Sequence, residues 1–412
     1  MKKTIPILSL PDSKSPHLAE LPPLGLYIHL PWCVRKCPYC DFNSHAINPD
    51  STPLPEVEYV AALKRDLELS LPQIWGRPVT SVFLGGGTPS LFSGASIDAI
   101  LSYARMLLSF TPETEITLEA NPGTLEAQKF ADFRSAGINR LSIGIQSFNP
   151  KHLQALGRIH DDAEASRAVE QALQHFSNIN LDLMYALPDQ TWDEALQDIE
   201  TACGWGVPHI SAYHLTLEPN TLFYRQPPKL PDDDTSADMQ IMVERVLAEK
   251  GYQHYETSAF AQPGRMCVHN MNYWQYGDYL GIGAGAHSKI SFREKIIRQM
   301  RHKHPRRYLE GTASGNACLE NMLATEQEVG PQDRIFEFMM NALRLTDGFD
   351  PGLFHTRTGL TVASIQQQLT TAEQRGLIEW QHDCIRPTAD GQRFLNDLLE
   401  IFLPESRQTT TS

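Results

Sequence analysis

Three cysteines stand within eight residues, in Cys33-Val34-Arg35-Lys36-Cys37-Pro38-Tyr39-Cys40, directly after the apolar run Leu24-Gly25-Leu26-Tyr27-Ile28-His29-Leu30. Thiolates grouped on one short loop at the end of a strand are suited to a metal. They can hold a cubane iron–sulfur cluster by three of its irons and leave the fourth open to a chelating ligand. Zinc is the competing reading, with His29 or His45 as fourth donor. Structural zinc sites usually draw their cysteines as two separated pairs, however, and no second pair exists here. Cys203, Cys318 and Cys384 sit singly in apolar patterns and read as small packing or surface residues.

The elements that must position this loop follow from apolar periodicity. Leu24 to Leu30 reads as a first strand, and short apolar runs near 81–84, 115–119, 140–145, 179–184 and 209–215 read as five more. Helical patterns near 56–70, 95–108, 124–136, 161–176 and 192–204 lie between them. Strand and helix alternating in this way predict a parallel sheet with right-handed crossovers. Six units are too few for a closed eight-fold barrel, so the sheet is expected to stay open. Functional residues then belong at the C-terminal strand ends. The cysteine loop follows strand one, Gly85 to Pro89 ends strand two, Glu119 ends strand three, Gln146 ends strand four, and Asp182 is placed late in strand five.

The spacing C-x3-C-x2-C, with Tyr39 before the last cysteine, resembles the signature of the radical S-adenosylmethionine (SAM) family. Gly85-Gly86-Gly87-Thr88-Pro89, Glu119-Ala120-Asn121-Pro122-Gly123, Gly144-Ile145-Gln146-Ser147-Phe148 and Leu187-Pro188-Asp189-Gln190 stand in the order and spacing of one branch. That branch holds oxygen-independent coproporphyrinogen III oxidase and its heme-chaperone relatives, and the resemblance runs from about Tyr27 to the C-terminal helix. It implies an α/β fold, a partial (β/α)6 barrel, with a [4Fe-4S] cluster on Cys33, Cys37 and Cys40 that binds SAM at its open iron. It assigns Tyr27, Gly86, Gly87, Thr88, Glu119, Gln146, Arg158 and Asp182 to the SAM or substrate pocket. The bland alternatives are a tight turn for the glycines, a helix cap for Glu119 and a structural ion pair between Arg158 and Asp182. Cys267-Val268-His269-Asn270-Met271-Asn272-Tyr273-Trp274 resembles the HNxxYW element of the heme chaperones. His269 and Cys267 as axial ligands, beside the flat apolar surface of Tyr273 and Trp274, suit a porphyrin. A lone histidine is nevertheless more often structural.

Two functions follow from that branch. One is a chaperone that binds heme as cargo and delivers it to recipient hemoproteins, including membrane-associated respiratory enzymes. The other is the oxidase, which decarboxylates coproporphyrinogen III by radical chemistry. The oxidase pattern has a further cysteine two positions past the third, where this chain has Phe42, and only about 26 residues precede Tyr27. Both departures favour the chaperone and make the oxidase activity the weaker expectation. A partner-binding zinc protein without catalysis is the third class.

Composition bounds the rest. A chain of 412 residues predicts two domains. A net charge of -14, with 35 scattered Lys and Arg, argues against a general nucleic-acid partner, and the basic stretch Arg293 to Arg307 reads as a solvated loop. Pro6 and Pro11 break the start too early for a signal peptide, and no apolar run spans a membrane. Seven cysteines, an odd number, fit a reducing compartment, so a cytoplasmic protein is expected. The oligomeric state is left open. Residues 1–23 read as an N-terminal extension, 24–310 as the barrel with the heme-motif extension, and 404–412 as a disordered tail. Residues 311–403 are expected, from the resemblance, to be the C-terminal lid or docking domain of the oxidase branch. There, helical patterns near 331–344, 362–375 and 389–403 bracket a two-stranded wing at 376–387 and resemble a winged helix. Acidic residues at 232–234 start a helix near 234–250, and the glycine-rich 277–287 lacks the context of a dinucleotide loop.

Overall fold

The computed structural model describes residues 17–47, 54–123, 128–313, 315, 317–381 and 383–404. Six parallel strands form where the apolar runs predict them: β1 (Leu24–Leu30), β2 (Pro78–Gly86), β3 (Ser109–Ala120), β4 (Arg140–Gln146), β5 (Ile179–Tyr185) and β6 (His209–His214). The helices between them are α1 (Glu56–Ile74), α2 (Gly94–Leu107), α3 (Phe130–Ala136), α4 (Asp162–His175) and α5 (Trp192–Gly204). Residues 124–127 of the expected third helix lie outside the described residues. Asp161 with Glu164, and Thr191 with Glu194, form capping boxes that satisfy the first free amides of α4 and α5.

Each strand divides its residues by period two. In β4, Leu141, Ile143 and Ile145 join the large apolar core, whereas Arg140, Ser142, Gly144 and Gln146 line the interior of the partial barrel. The main core is therefore the layer between strands and helices. The barrel interior is polar and open.

The sheet is wider than the six expected units. After α6 (Asp233–Glu249), strands β7 (Gln253–Glu256) and β8 (Ala259–Ala261) extend the β6 edge. Helix α7 (Val268–Trp274) then leads to β9 (Asp278–Ile282), which pairs in parallel with β1 as a seventh parallel strand. The antiparallel β10 (His287–Ser291), β11 (Ile296–Arg301) and β12 (Leu323–Glu328) complete a twelve-stranded sheet in the order β12-β11-β10-β9-β1-β2-β3-β4-β5-β6-β8-β7. The glycine-rich stretch is thus strand β9 and its exit turn. Gly283 has φ +102°, and a Cβ there would sit 2.4 Å from the His29 carbonyl oxygen. Only glycine allows so close an approach.

The basic stretch is not a solvated loop. It contains β11, and Arg301 at its end is fully buried against Asp66 of α1, with Nη2 2.9 Å from Oδ1. Asp66 also accepts from Tyr308 Oη at 2.9 Å and from the Gly283 N–H at 3.1 Å, while Arg301 donates to Ser70 Oγ at 2.8 Å. These bonds offset the desolvation of both charges and tie α1 to the antiparallel extension.

A second core gathers Tyr276, Ile296, Val329, Phe338, Phe354 and Leu369, and Leu18 of the N-terminal extension packs into it. Strand β12 belongs to the large sheet, and the second core draws on Tyr276 and Ile296 before it as well as on the residues from Val329 onward. Helix Pro331–Ala342 and the wing strands Ile378–Trp380 and Ile385–Pro387 lie where expected. A further helix, Pro351–Thr358, intervenes. The last helix is broken at Phe394 into Ala389–Arg393 and Leu395–Glu400. Residues 1–16 and 405–412 lie outside the described residues.

Replacing Asp66 with alanine leaves the Arg301 guanidinium buried without its charge partner. Asp66→Ala is expected to cost about 3–5 kcal/mol, read as a fall in denaturation midpoint. A midpoint within 1 kcal/mol of the parent would show that the pair does not tie the extension to the barrel.

Candidate functional site

The cysteine loop is folded back on the strand that precedes it. Trp32–Cys33 pairs in parallel with His45–Ala46, the Cys40 N–H donates to the Cys37 carbonyl at 3.2 Å, and Lys36 Nζ holds the Phe42 carbonyl at 2.9 Å. From outside, the Phe223 N–H bonds the Pro38 carbonyl at 3.0 Å. The three thiols are half-buried and line one cavity of about 380 Å³ that opens at the C-terminal strand ends.

Polar groups surround the sulfurs. Thr88 and Ser44 lie beside Cys33, the Phe42 backbone and Ser44 beside Cys40, and Arg158 Nη1 donates to Cys37 Sγ at 3.8 Å, the one hydrogen bond to these sulfurs among the described residues. Burial pushes the Cys33 and Cys40 thiols above their ordinary range, and these hydroxyl and amide donors oppose it. Such a donor set favours thiolates carrying a cluster's negative charge. Among the described residues, no three His, Cys, Asp or Glu side chains surround a single ion. His29 is committed elsewhere, its Nδ1 to Tyr27 Oη and its Nε2 to the Asn43 carbonyl, both at 2.9 Å. Neither nitrogen is free to be a fourth zinc donor.

Seven of the eight expected SAM-pocket residues line this cavity: Gly86, Gly87, Thr88, Glu119, Gln146, Arg158 and Asp182. Tyr27 is not among the lining residues; its ring packs on Phe83, which is. Gly86 has φ +117°, and a Cβ there would fall 2.4 Å from the His29 ring, so the Gly-Gly-Gly stretch is held to its geometry by more than a turn. Among the described residues Glu119 caps no helix. Its Oε2 accepts the Gly86 N–H at 3.0 Å. Arg158 and Asp182 do not pair. Arg158 Nη2 donates to Asn121 Oδ1 at 2.8 Å and to the Gly144 carbonyl at 2.7 Å, while Asp182 accepts from Ser142 at 2.9 Å and Asn180 at 2.8 Å. Asp182 stands at the middle of β5, one inward step deeper than its expected place near the strand end. Gln146 takes φ +69°, a left-handed backbone that turns the chain out of β4 at the cavity mouth.

The sequence motifs contain Asn121 and Asn270 without assigning them to the pocket, and Arg140, Ser142, Asn180, Ser211 and Tyr213 line it from outside any motif. The signal for most of them was period two, counted back from the motif residues along each strand.

The expected heme residues lie at the opposite, closed end. Helix α7 seals the barrel floor there: Cys267 and His269 are buried, His269 Nδ1 is 3.0 Å from Ser81 Oγ, and Glu115 Oε1 accepts from the His269 N–H at 3.2 Å and from Cys267 Sγ at 3.4 Å. Burial pushes the His269 imidazole down to about 3, with Arg140 adding to the effect, so the ring stays neutral. Tyr273 stacks on Tyr279 at 4.2 Å, and Arg344 covers Trp274 at 4.6 Å. Cys267 and His269 thus present no open surface, while Tyr273 and Trp274 are half-buried.

An open α/β barrel with a three-cysteine loop over its mouth defines a radical SAM protein. The radical SAM superfamily profile matches residues 27–202, and the HemN C-terminal domain profile matches 329–394. The solved coproporphyrinogen III oxidase HemN of Escherichia coli, a radical SAM enzyme, superposes with a TM-score of 0.77 over 93% of this chain and 90% of its own, at 22% identity, which establishes the shared fold. The heme chaperone HemW of Haemophilus influenzae is 48% identical over 94% of this chain and all of its own length. Its counterpart in Escherichia coli is 46% identical with the same coverage, and that of Bacillus subtilis 31% identical over 92% and 99%. The chain belongs to the HemW family. That family membership implies a [4Fe-4S] cluster and SAM.

Burial, and secondarily Asp182, push the Glu119 carboxyl up to about 7, opposed by the Gly86 N–H. Below about pH 4.5 the group is protonated in both folded and unfolded chains and its burial costs nothing. As pH rises to about 7 the unfolded chain ionises first, so the carboxyl destabilises the fold, fully so above 7. Glu119→Gln should therefore stabilise the cofactor-free protein at pH 8 by on the order of 1 kcal/mol or more, with the gain vanishing near pH 4.5. Thermal melts at the two pH values check this; a gain independent of pH would place the titration elsewhere.

Gly86→Val should weaken SAM binding at least tenfold while the cluster is retained, because a branched side chain collides with His29 and disfavours the positive φ. Equal SAM affinity by calorimetry, with full iron content, would reduce the glycine stretch to a turn.

Proposed function

We propose that the protein is a heme chaperone that carries a SAM-ligated [4Fe-4S] cluster on Cys33, Cys37 and Cys40 and delivers heme to hemoproteins of respiration. The observation that carries this reading is near-half identity, over the full length, to relatives named heme chaperones. Residue 42 agrees with it. Phe42 stands at the cavity mouth, 58% exposed, where the oxidase pattern has a cysteine.

When bound, the cluster and SAM supply one-electron chemistry. The chain's own part is orientation. Arg158 holds the Cys37 sulfur, the Gly86–Thr88 backbone and Glu119 receive the nucleoside and amino-acid parts of SAM, and the barrel wall restricts water. Heme is the cargo, with His269 and Cys267 as candidate iron ligands and Tyr273 and Trp274 as the apolar face. For His269 to reach an iron, α7 has to leave the floor and give up its bonds to Ser81 and Glu115. The oxidase reading keeps support from the fold alone.

Purified cluster-loaded protein should bind heme with a Soret shift. His269→Ala should lose at least tenfold in heme affinity while holding iron and SAM, with a thermal melt to confirm folding. Multiple-turnover decarboxylation of coproporphyrinogen III by the parent, or a His269 variant that holds heme as tightly, would overturn the assignment.

A further inference from the structure

The cavity does not end at the SAM tier. It continues down the barrel to Asn270 on α7 and to Arg140, the first residue of β4, whose side chain is almost wholly buried. The Arg140 guanidinium lines this deep end without a complete partner. Among the described residues its Nε has no hydrogen-bond acceptor, and the nearest carboxylate oxygen, Glu115 Oε2, is 3.9 Å away, beyond hydrogen-bond reach. Glu115 spends its other oxygen on α7. Asp182 does not complete the shell either, since its two oxygens take Ser142 and Asn180.

A guanidinium carries five N–H donors, and a buried donor on a charged group left without an acceptor costs more than one on a neutral group. Buried polar groups without partners are rare enough that each calls for a cause. Ser142, Ser211, Tyr213 and Asn270 add neutral hydrogen-bonding groups around the same space, and Tyr213 exposes 41% of its surface while lining it. Glu115 and Asp182 close by would repel a dianion. A single planar carboxylate matches the guanidinium fork and neutralises it without excess charge.

We propose that the barrel floor is a second binding site beneath SAM, for the carboxylate of a small organic acid, with Arg140 as its anion-binding group. The site is small because SAM shares the cavity, and the inference does not rest on the heme reading.

Acetate is the probe. Saturation-transfer NMR is run on cluster-loaded protein with SAM in excess, which keeps acetate from Arg158, against a chloride control at equal ionic strength. Saturable transfer to the acetate methyl is expected in the parent, reduced at least tenfold in Arg140→Met and largely kept in Arg140→Lys. Asn270→Leu, which narrows the floor and keeps the charge, should also reduce it. SAM affinity and melting temperature are measured alongside to confirm folding. Absence of transfer in the folded, SAM-bound parent, or equal transfer in Arg140→Met, would overturn the site while leaving the chaperone reading untouched.

Discussion

Two backbone hydrogen bonds set the geometry of the cavity mouth. The Gly87 N–H reaches the Leu30 carbonyl at 2.8 Å, and the Thr88 N–H reaches that of Trp32 at 2.7 Å, carrying the β1–β2 ladder past the ends of both strands. They bind the cysteine loop to the glycine stretch so closely that a Cβ on Gly87 would sit 2.5 Å from the Trp32 carbonyl oxygen. From there the contacts run on as a circuit. Thr88, held by the Trp32 carbonyl one residue before Cys33, accepts from Asn121, Asn121 accepts from Arg158, and Arg158 returns to Cys37. A shift in any one member moves the donors around the sulfurs, because packed interiors transmit displacement rather than absorb it.

The closed end depends on a different element. Helix α7 stops the barrel from being a through-channel, and it does so with the residues that resemble a heme motif. His269 packs against Phe83 at 5.1 Å while its ring bonds Ser81, so the floor and any iron ligation by this histidine compete for the same side chain. Glu115 stands between the two floor elements, with one oxygen on α7 and the other 3.9 Å from Arg140 Nε.

Much of this was legible in the sequence because strands leave a strong trace when both faces are used. The apolar half of β1 to β6 marks the helix-facing layer, and the cysteine and glycine motifs mark the open end. What was missed has physical reasons. Strand β9 hides in a glycine-rich stretch because Gly281 packs against the His287 backbone and Gly283, just past the strand, against that of His29, tertiary requirements with no local signature. The run 293–307 looked solvated because Arg301 is indistinguishable from its exposed neighbours until Asp66, 235 positions earlier, is placed beside it. The same holds for His269. Its spacing to Tyr273 and Trp274 is visible in the chain, but its burial beneath β1 and β2 is not.

Buried charge in this protein comes in two kinds, and the contrast separates framework from function. Asp66 and Arg301 are paired at 2.9 Å with every surrounding donor answered, as expected where charges only join elements. Arg140, Glu119 and Asp182 line a cavity, and Arg140 lacks a bonded anion while Glu119 is pushed toward its neutral form. A barrel interior selected for stability alone would replace such groups with packed apolar side chains, which commonly match or exceed a buried ion pair. Their cost is concentrated on the face that the strands turn inward and is absent from the helix-facing layer of the same strands. That distribution is what a site requires: donors and acceptors left incomplete in the protein, to be completed by what enters.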